Sequence, residues 1–299
     1  MSQRPDRTAA RPAPRPVLTP LREPAGGAAR RLYAVHPGAL APTAWQPLAE
    51  RLPEDTALSL LDLGNVPEFF AAALDPDVCG VTVAGLAERC LAEITASAPA
   101  DTPFSLVGWS FGGVVGYEVA ARLDAAGHGA RLEELVLLDS IAPVPAFKRA
   151  DELLDPAMLL DWFAMYLGAK RGRPLVLSVP PVAGTDEGLP ALLAAATAQG
   201  VLPPGTELAG LRKLYAAYHG GLLRNNRCTA PYEPTPLDRT VTLVKPERSL
   251  LPDRGDLGWS RLSTRPVRRL GVPGDHYTML REPTAVAVLA GLLAAPAVA

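Results

Sequence analysis

Gly108-Trp109-Ser110-Phe111-Gly112 sets a serine between glycines two positions away on either side. A serine hydroxyl is a weak nucleophile unless a sharp turn exposes it and a neighbouring base takes its proton. Such a turn requires small residues two before and two after the serine, and glycine meets that demand. The pentapeptide follows Phe104-Ser105-Leu106-Val107, which has the character of a buried strand. It precedes Gly113-Val114-Val115-Gly116-Tyr117-Glu118-Val119, which reads as a helix. In that strand, turn and helix context a serine is placed for acyl transfer. Its hydroxyl then lies at the amino end of the helix, where the end potential favours a developing oxyanion and the Phe111 N–H is one donor.

A serine of this kind needs a base, and the base needs an orienting acid. The chain has four histidines. His276, in Val272-Pro273-Gly274-Asp275-His276-Tyr277, falls between the expected last strand and last helix, and is the expected base. His36 ends an early strand and is placed to line the site. His128 sits in a glycine-rich turn and His219 in a helical stretch.

For the acid, Asp139 ends the strand Glu134-Leu135-Val136-Leu137-Leu138, on the same sheet edge as Ser110, and is favoured. Asp253 and Asp256 follow the next strand and are the alternatives. Asp275 adjoins His276, a spacing that points neighbouring side chains apart. The second oxyanion donor is expected from the loop His36-Pro37-Gly38-Ala39-Leu40, at the N–H of Gly38 or, next, Ala39.

Apolar runs alternating with helical patterns must position these groups. Strands are predicted at 31–36, 57–63, 104–109, 134–139, 240–245 and 266–270. Helices are predicted near 43–52, 81–97, 113–126 and 283–293. This is the pattern of an α/β protein with a mostly parallel central sheet flanked by helices, as in the α/β-hydrolase fold. Between Ile141 and about Asn226 the alternation stops, and helical stretches at 156–167, 188–198 and 207–223 follow one another. These predict a helical lid insertion within a domain of residues 31–299. Residues 1–30, rich in Arg and Pro, read as a disordered tail.

A formal charge of −2 gives no field suited to nucleic acid or an anionic membrane. No apolar run makes a signal peptide or a membrane span, and the chain is expected to be cytoplasmic. Cys79, Cys90 and Cys228 lack the spacing of a zinc or redox site and read as reduced thiols. No metal or cofactor is implied.

Taken together, several segments resemble the thioesterase domains of nonribosomal peptide and polyketide synthases. They are Leu32-Tyr33-Ala34-Val35-His36-Pro37-Gly38, Trp45 with Leu48-Ala49-Glu50-Arg51-Leu52, Gly108-Trp109-Ser110-Phe111-Gly112-Gly113, Leu135-Val136-Leu137-Leu138-Asp139-Ser140, and Val272-Pro273-Gly274-Asp275-His276-Tyr277-Thr278-Met279-Leu280. The resemblance covers roughly Arg31 to Leu293. It implies that Ser110 accepts an acyl or peptidyl chain from the phosphopantetheine thioester of a carrier protein, and that hydrolysis or macrocyclisation then releases it. In that family the acid of chain-terminating members stands where Asp139 does. Proofreading members, which clear aberrant short acyl groups, carry it one strand later, nearer Asp253. With no carrier-domain motif before it, the chain is expected to meet an acyl or peptidyl carrier protein in trans. The segment Gly38-Ala39-Leu40-Ala41-Pro42 lacks some glycines common in relatives.

Overall fold

The computed structural model describes residues 16–75, 77–78, 80–151, 154–177, 185–252 and 254–294, without the side chains of 185 and 186. Asp253 and Cys79, and the first half of the expected tail, lie outside them.

A sheet of order β1-β3-β2-β4-β5-β6-β7 runs through the molecule. Its strands are β1 (Leu18–Arg22), β2 (Arg30–His36), β3 (Thr56–Asp62), β4 (Phe104–Trp109), β5 (Leu132–Leu138), β6 (Val241–Arg248) and β7 (Arg268–Asp275). Only β1 is antiparallel, pairing with β3. The other pairings are parallel. Every residue of β3 and β4 is buried, as expected of strands covered on both faces.

Alternation along the strands divides the core in two. Leu32, Leu58, Val107, Trp109, Val136 and Leu138 face one cluster, shared with α1 (Gln46–Arg51) and α8 (Pro283–Ala294). Tyr33, Val35, Leu106, Leu135 and Leu137 face the other, shared with α3 (Val83–Ser97) and α4 (Phe111–Ala125). The short α2 (Pro67–Ala71) contributes Phe69 to this second cluster. Thr82 starts α3 two residues later than the sequence suggests, because its hydroxyl accepts from the Gly85 N–H at 3.0 Å.

Between β5 and β6 lie α5 (Pro156–Arg171), α6 (Thr185–Ala198) and α7 (Leu208–Thr229), with no strand among the described residues. Asp155 caps α5 by accepting from Ala157 N–H at 2.9 Å, and Gly172, at φ 68°, ends it. Buried residues of all three helices, including Phe163, Leu192 and Tyr218, join the cluster on the Trp109 face.

The tail expected over residues 1–30 is shorter than that from its carboxyl end. Leu18–Arg22 form an edge strand and Val17 is 7% exposed. The strand is short and interrupted by Pro20, and an edge strand tolerates a missing N–H that a central one does not. β7 in turn extends five residues beyond the expected end, through Pro273 and Gly274, because it too is an edge. Among the described residues no helix is long and apolar enough to cross a membrane.

Candidate active site

Parallel pairing brings the carboxyl ends of the strands to one rim. Val35 of β2 stands beside Gly108 of β4, Trp109 beside Leu138 of β5, and Leu138 beside Val244 of β6. One step further, His36 stands beside Trp109, Ser110 beside Asp139, and Asp139 beside Lys245.

Ser110 occupies the turn between β4 and α4 at φ 55°, ψ −127°. A non-glycine residue so placed costs ~1–3 kcal/mol and persists only where its surroundings hold it. The Ser110 N–H donates to Leu138 O and its own carbonyl accepts from Gly113 N–H, both at 2.9 Å. Gly112 lets the turn fit, since a Cβ there would collide with the Val35 carbonyl. As the first residue of α4, Phe111 has an N–H with no carbonyl one turn back to receive it.

Asp139 is fully buried just beyond β5, at φ 42°. Its Oδ2 lies 2.8 Å from His276 Nδ1 and also accepts from the Leu250 N–H at 3.1 Å. Its Oδ1 accepts from the Ser249 hydroxyl at 2.6 Å. With Nδ1 on the carboxylate, Nε2 is left at the other side of the imidazole. His276 is 1% exposed and follows the last residue of β7. Its carbonyl accepts from Trp109 Nε1 at 3.0 Å, and its ring packs 5.5 Å from that of Trp109. The residue before the serine thus anchors the loop carrying the histidine.

The other candidates among the described residues take no part in this pair. Asp275 accepts from the N–H groups of Tyr277 and Thr278, both at 2.9 Å, and so shapes the turn after β7. Asp256 accepts from Gly258 and Ser260 N–H, fixing the turn into a short 3₁₀ segment, Trp259–Arg261. His128 is exposed. His219 stacks on Tyr215 at 5.6 Å, and burial lowers its pKa.

His36 is fully buried beneath the loop that follows β2. Trp45 Nε1 donates to its Nδ1 at 3.2 Å, so Nε2 carries the proton and donates to Leu40 O at 2.9 Å. Burial lowers its pKa, against the opposing pull of the Asp62 carboxylate and the Leu40 carbonyl. Both ring nitrogens are occupied, so His36 closes the 36–40 turn rather than facing a substrate. Gly38, at φ 83° in that turn, adopts a conformation that a side chain would strain.

Ser110, Phe111 and Asp139 line a cavity of about 160 Å³, with Ile141, Leu159, Trp162, Leu222 and Leu250 among its walls. Ile141, Phe147, Leu154 and Trp162 also line an adjoining pocket that reaches Arg149 and Arg254. Cys90 and Cys228 are buried free thiols, and burial pushes their pKa up to about 12 and about 11. That keeps them protonated and unreactive.

Ser249 and the residues that hold it were not singled out from the sequence. The one sequence signal is its position in the loop after β6, from which its hydroxyl braces Asp139.

The family model of the thioesterase domain matches residues 30–291. Over 210 residues, 69% of this chain and 9% of the relative, the sequence is 30% identical to the non-reducing polyketide synthase PKS1 of Zymoseptoria tritici. Over 124 residues, 42% of this chain and 1% of the relative, it is 36% identical to a probable non-canonical nonribosomal peptide synthetase, CymA, of Salinispora arenicola. The chain therefore spans under a tenth of the length of these curated relatives. Among solved structures, the NocB thioesterase domain in covalent complex with a fluorophosphonate nocardicin G analogue superposes with a TM-score of 0.57. The two are 25% identical, over 93% of this chain and 99% of that one.

Proposed function

Since the chain belongs to the thioesterase domain family, we propose that it releases acyl, polyketide or peptidyl chains from a carrier-protein thioester through an acyl-enzyme at Ser110. The observation that carries this reading is the buried His276–Asp139 pair, 2.8 Å apart on the same sheet rim as a strained serine at a helix amino terminus.

His276 Nε2 takes the Ser110 proton as Oγ attacks the thioester carbonyl, while Asp139 holds the ring and balances the imidazolium. The N–H groups of Phe111 and Gly38 receive the negative charge that develops on the carbonyl oxygen. Collapse of the tetrahedral intermediate breaks the C–S bond, and the imidazolium proton goes to the departing pantetheine thiol. A second nucleophile, either water or a hydroxyl or amine of the chain itself, then gives up its proton to His276 and attacks the acyl-serine carbonyl; as the C–Oγ bond breaks, the imidazolium returns that proton to Ser110 Oγ. Water leaves a free acid, and an internal nucleophile leaves a ring.

The helices α5 to α7 act as the lid, giving the acyl chain its apolar walls at Leu159, Trp162 and Leu222. The carrier protein, met in trans, presents its phosphopantetheine arm as part of the substrate. No organic cofactor or metal takes part in these steps.

A second reading within the same chemistry is proofreading, the removal of aberrant short acyl groups. The modest space beside Ser110, about 160 Å³, favours it, while the adjoining pocket that shares Ile141, Phe147, Leu154 and Trp162 has room for a longer chain. The position of Asp139, directly after β5, favours chain termination. Turnover of a carrier protein loaded with acetyl or with a long acyl chain separates the two. Faster release of the long chain supports termination, and faster release of acetyl supports proofreading. A protein that cleaves simple esters and neither carrier thioester would contradict both.

A further inference from the structure

α7 carries a buried cation that the catalytic scheme does not use. Arg224 is 9% exposed, and its guanidinium carbon lies 3.4 Å from the centroid of the Phe69 ring. Among the described residues no carboxylate pairs with it. Burial lowers its pKa to about 10, which still leaves it charged at neutral pH. Its Nη1 donates to the Phe69 carbonyl at 3.2 Å. Its Nε and Nη2 both donate to the side-chain oxygen of the next residue, Asn225, at 3.1 and 2.9 Å.

Those two bonds decide which way the Asn225 amide faces. A guanidinium has donors only, so it selects the amide oxygen and turns the NH₂ group away. Asn225 also lines the cavity that holds Ser110, on an otherwise largely apolar surface. Its polar neighbours on that wall are engaged within the protein. Asn226 Nδ2 donates to Arg149 O and Asp151 Oδ1, Lys148 Nζ to Tyr232 O and Glu233, and Thr229 Oγ1 to Asn225 O. Among the described residues no acceptor meets Asn225 Nδ2.

We infer that Asn225 reads an oxygen on the acyl chain, a carbonyl or hydroxyl within the first few atoms beyond the thioester carbonyl, and that Arg224 is the positioning residue that turns the amide toward it. Ser110 and Asn225 line the same cavity, so the oxygen read is one on the part of the chain that fills it. A plain hydrocarbon chain at that point would leave the amide donor dehydrated and unpaired. The site therefore selects for oxygenated acyl groups and against alkyl ones. The substrate named here rests on the thioesterase reading, whereas the recognition itself needs only a nucleophilic Ser110.

The test uses two fluorophosphonates of equal length, one with a plain alkyl chain and one with a ketone two carbons from phosphorus. The rate of Ser110 labelling is followed on the intact protein by mass spectrometry. The ketone probe should label roughly tenfold faster or more, the effect of one well-placed hydrogen bond. Asn225→Asp keeps both Arg224 contacts and removes the donor, so the ratio should fall to near one. Arg224→Met frees the amide and should lower the ratio as well, with melting curves reporting whether each variant is folded. Equal labelling of the native protein by both probes, or an unchanged ratio in Asn225→Asp, would overturn the inference. Carrier-thioester turnover is measured alongside. A surviving ratio without turnover supports Asn225 and overturns the thioesterase reading, and turnover without the ratio does the reverse.

Discussion

Ser249, in the loop that leaves β6, donates its hydroxyl to Asp139 Oδ1 at 2.6 Å. Asp139 is thereby fixed from two sides, since the Leu250 N–H reaches Oδ2, the same oxygen that meets His276 Nδ1. Removing the hydroxyl leaves one of these restraints. Ser249→Ala is expected to lower kcat/KM by roughly ten- to a hundredfold, the range for one hydrogen bond to a charged group. The melting temperature should change little, and Ser249→Thr should restore most of the activity. Equal loss in the alanine and threonine variants would point to a packing role instead.

Asp139→Asn keeps the shape of the side chain but puts an amide where an acceptor is needed. Either the imidazole and the Leu250 N–H together, or the Ser249 hydroxyl, then face N–H instead of oxygen. A fall in kcat of roughly 10⁴-fold is expected, as for the equivalent change in other serine triads. Asp256→Asn, whose carboxylate shapes the turn near Trp259 and takes no part in the His276–Asp139 pair, should leave kcat within about threefold. Steady-state assays of both variants check the assignment, and the opposite order would move the acid to the loop after β6.

The elbow depends on Gly112. A Cβ at this position collides with the backbone carbonyl of Val35, and a strand in the middle of the sheet has no room to withdraw. Gly112→Ala is therefore expected to cost ~1–3 kcal/mol through overpacking, read as a lower urea midpoint with an unchanged slope. A native midpoint in this variant would contradict the packing described.

His36 makes stability depend on pH in a defined direction. Burial holds its folded pKa below the value of about 6.5 expected in an unfolded chain. Its neutral form is the folded one, so its contribution is complete above about pH 6.5 and is lost as pH falls below that. Gln can accept from Trp45 and donate to Leu40 without titrating. Between pH 7 and 5 the melting temperature of the native protein should fall more steeply than that of His36→Gln. Parallel curves would show that His36 does not titrate differently on unfolding.

Local pattern was enough to read the central strands and the elbow. β4 was legible residue for residue, because a fully buried strand ending in Gly-Trp-Ser-Phe-Gly has few alternatives. Edges were harder. β1 lies in an Arg- and Pro-rich stretch whose composition suggests disorder, and its place is set by β3 rather than by its own residues. The carboxyl end of β7 carries Pro273 and Gly274, which look like loop until pairing with β6 is known.

The pairing of Asp139 with His276 was legible from chain order, since Asp139 closes a predicted strand and His276 falls between the last predicted strand and the last helix. Ser249, Arg224 and Asn225 were not. Their meaning lies in contacts across more than a hundred residues, from Ser249 to Asp139 and from Arg224 to Phe69, and no spacing in the sequence encodes them.

The central claim is that Ser110 carries the acyl chain, and trapping that intermediate tests it most directly. Mixed with an acyl-loaded carrier protein and quenched within one turnover, the protein should gain the mass of one acyl group, mapped by peptide digestion to Ser110. The adduct should be missing in Ser110→Ala and should form at least ~10³-fold more slowly in His276→Ala. Normal thioester turnover in Ser110→Ala, or an acyl group mapped to any other residue, would contradict the account.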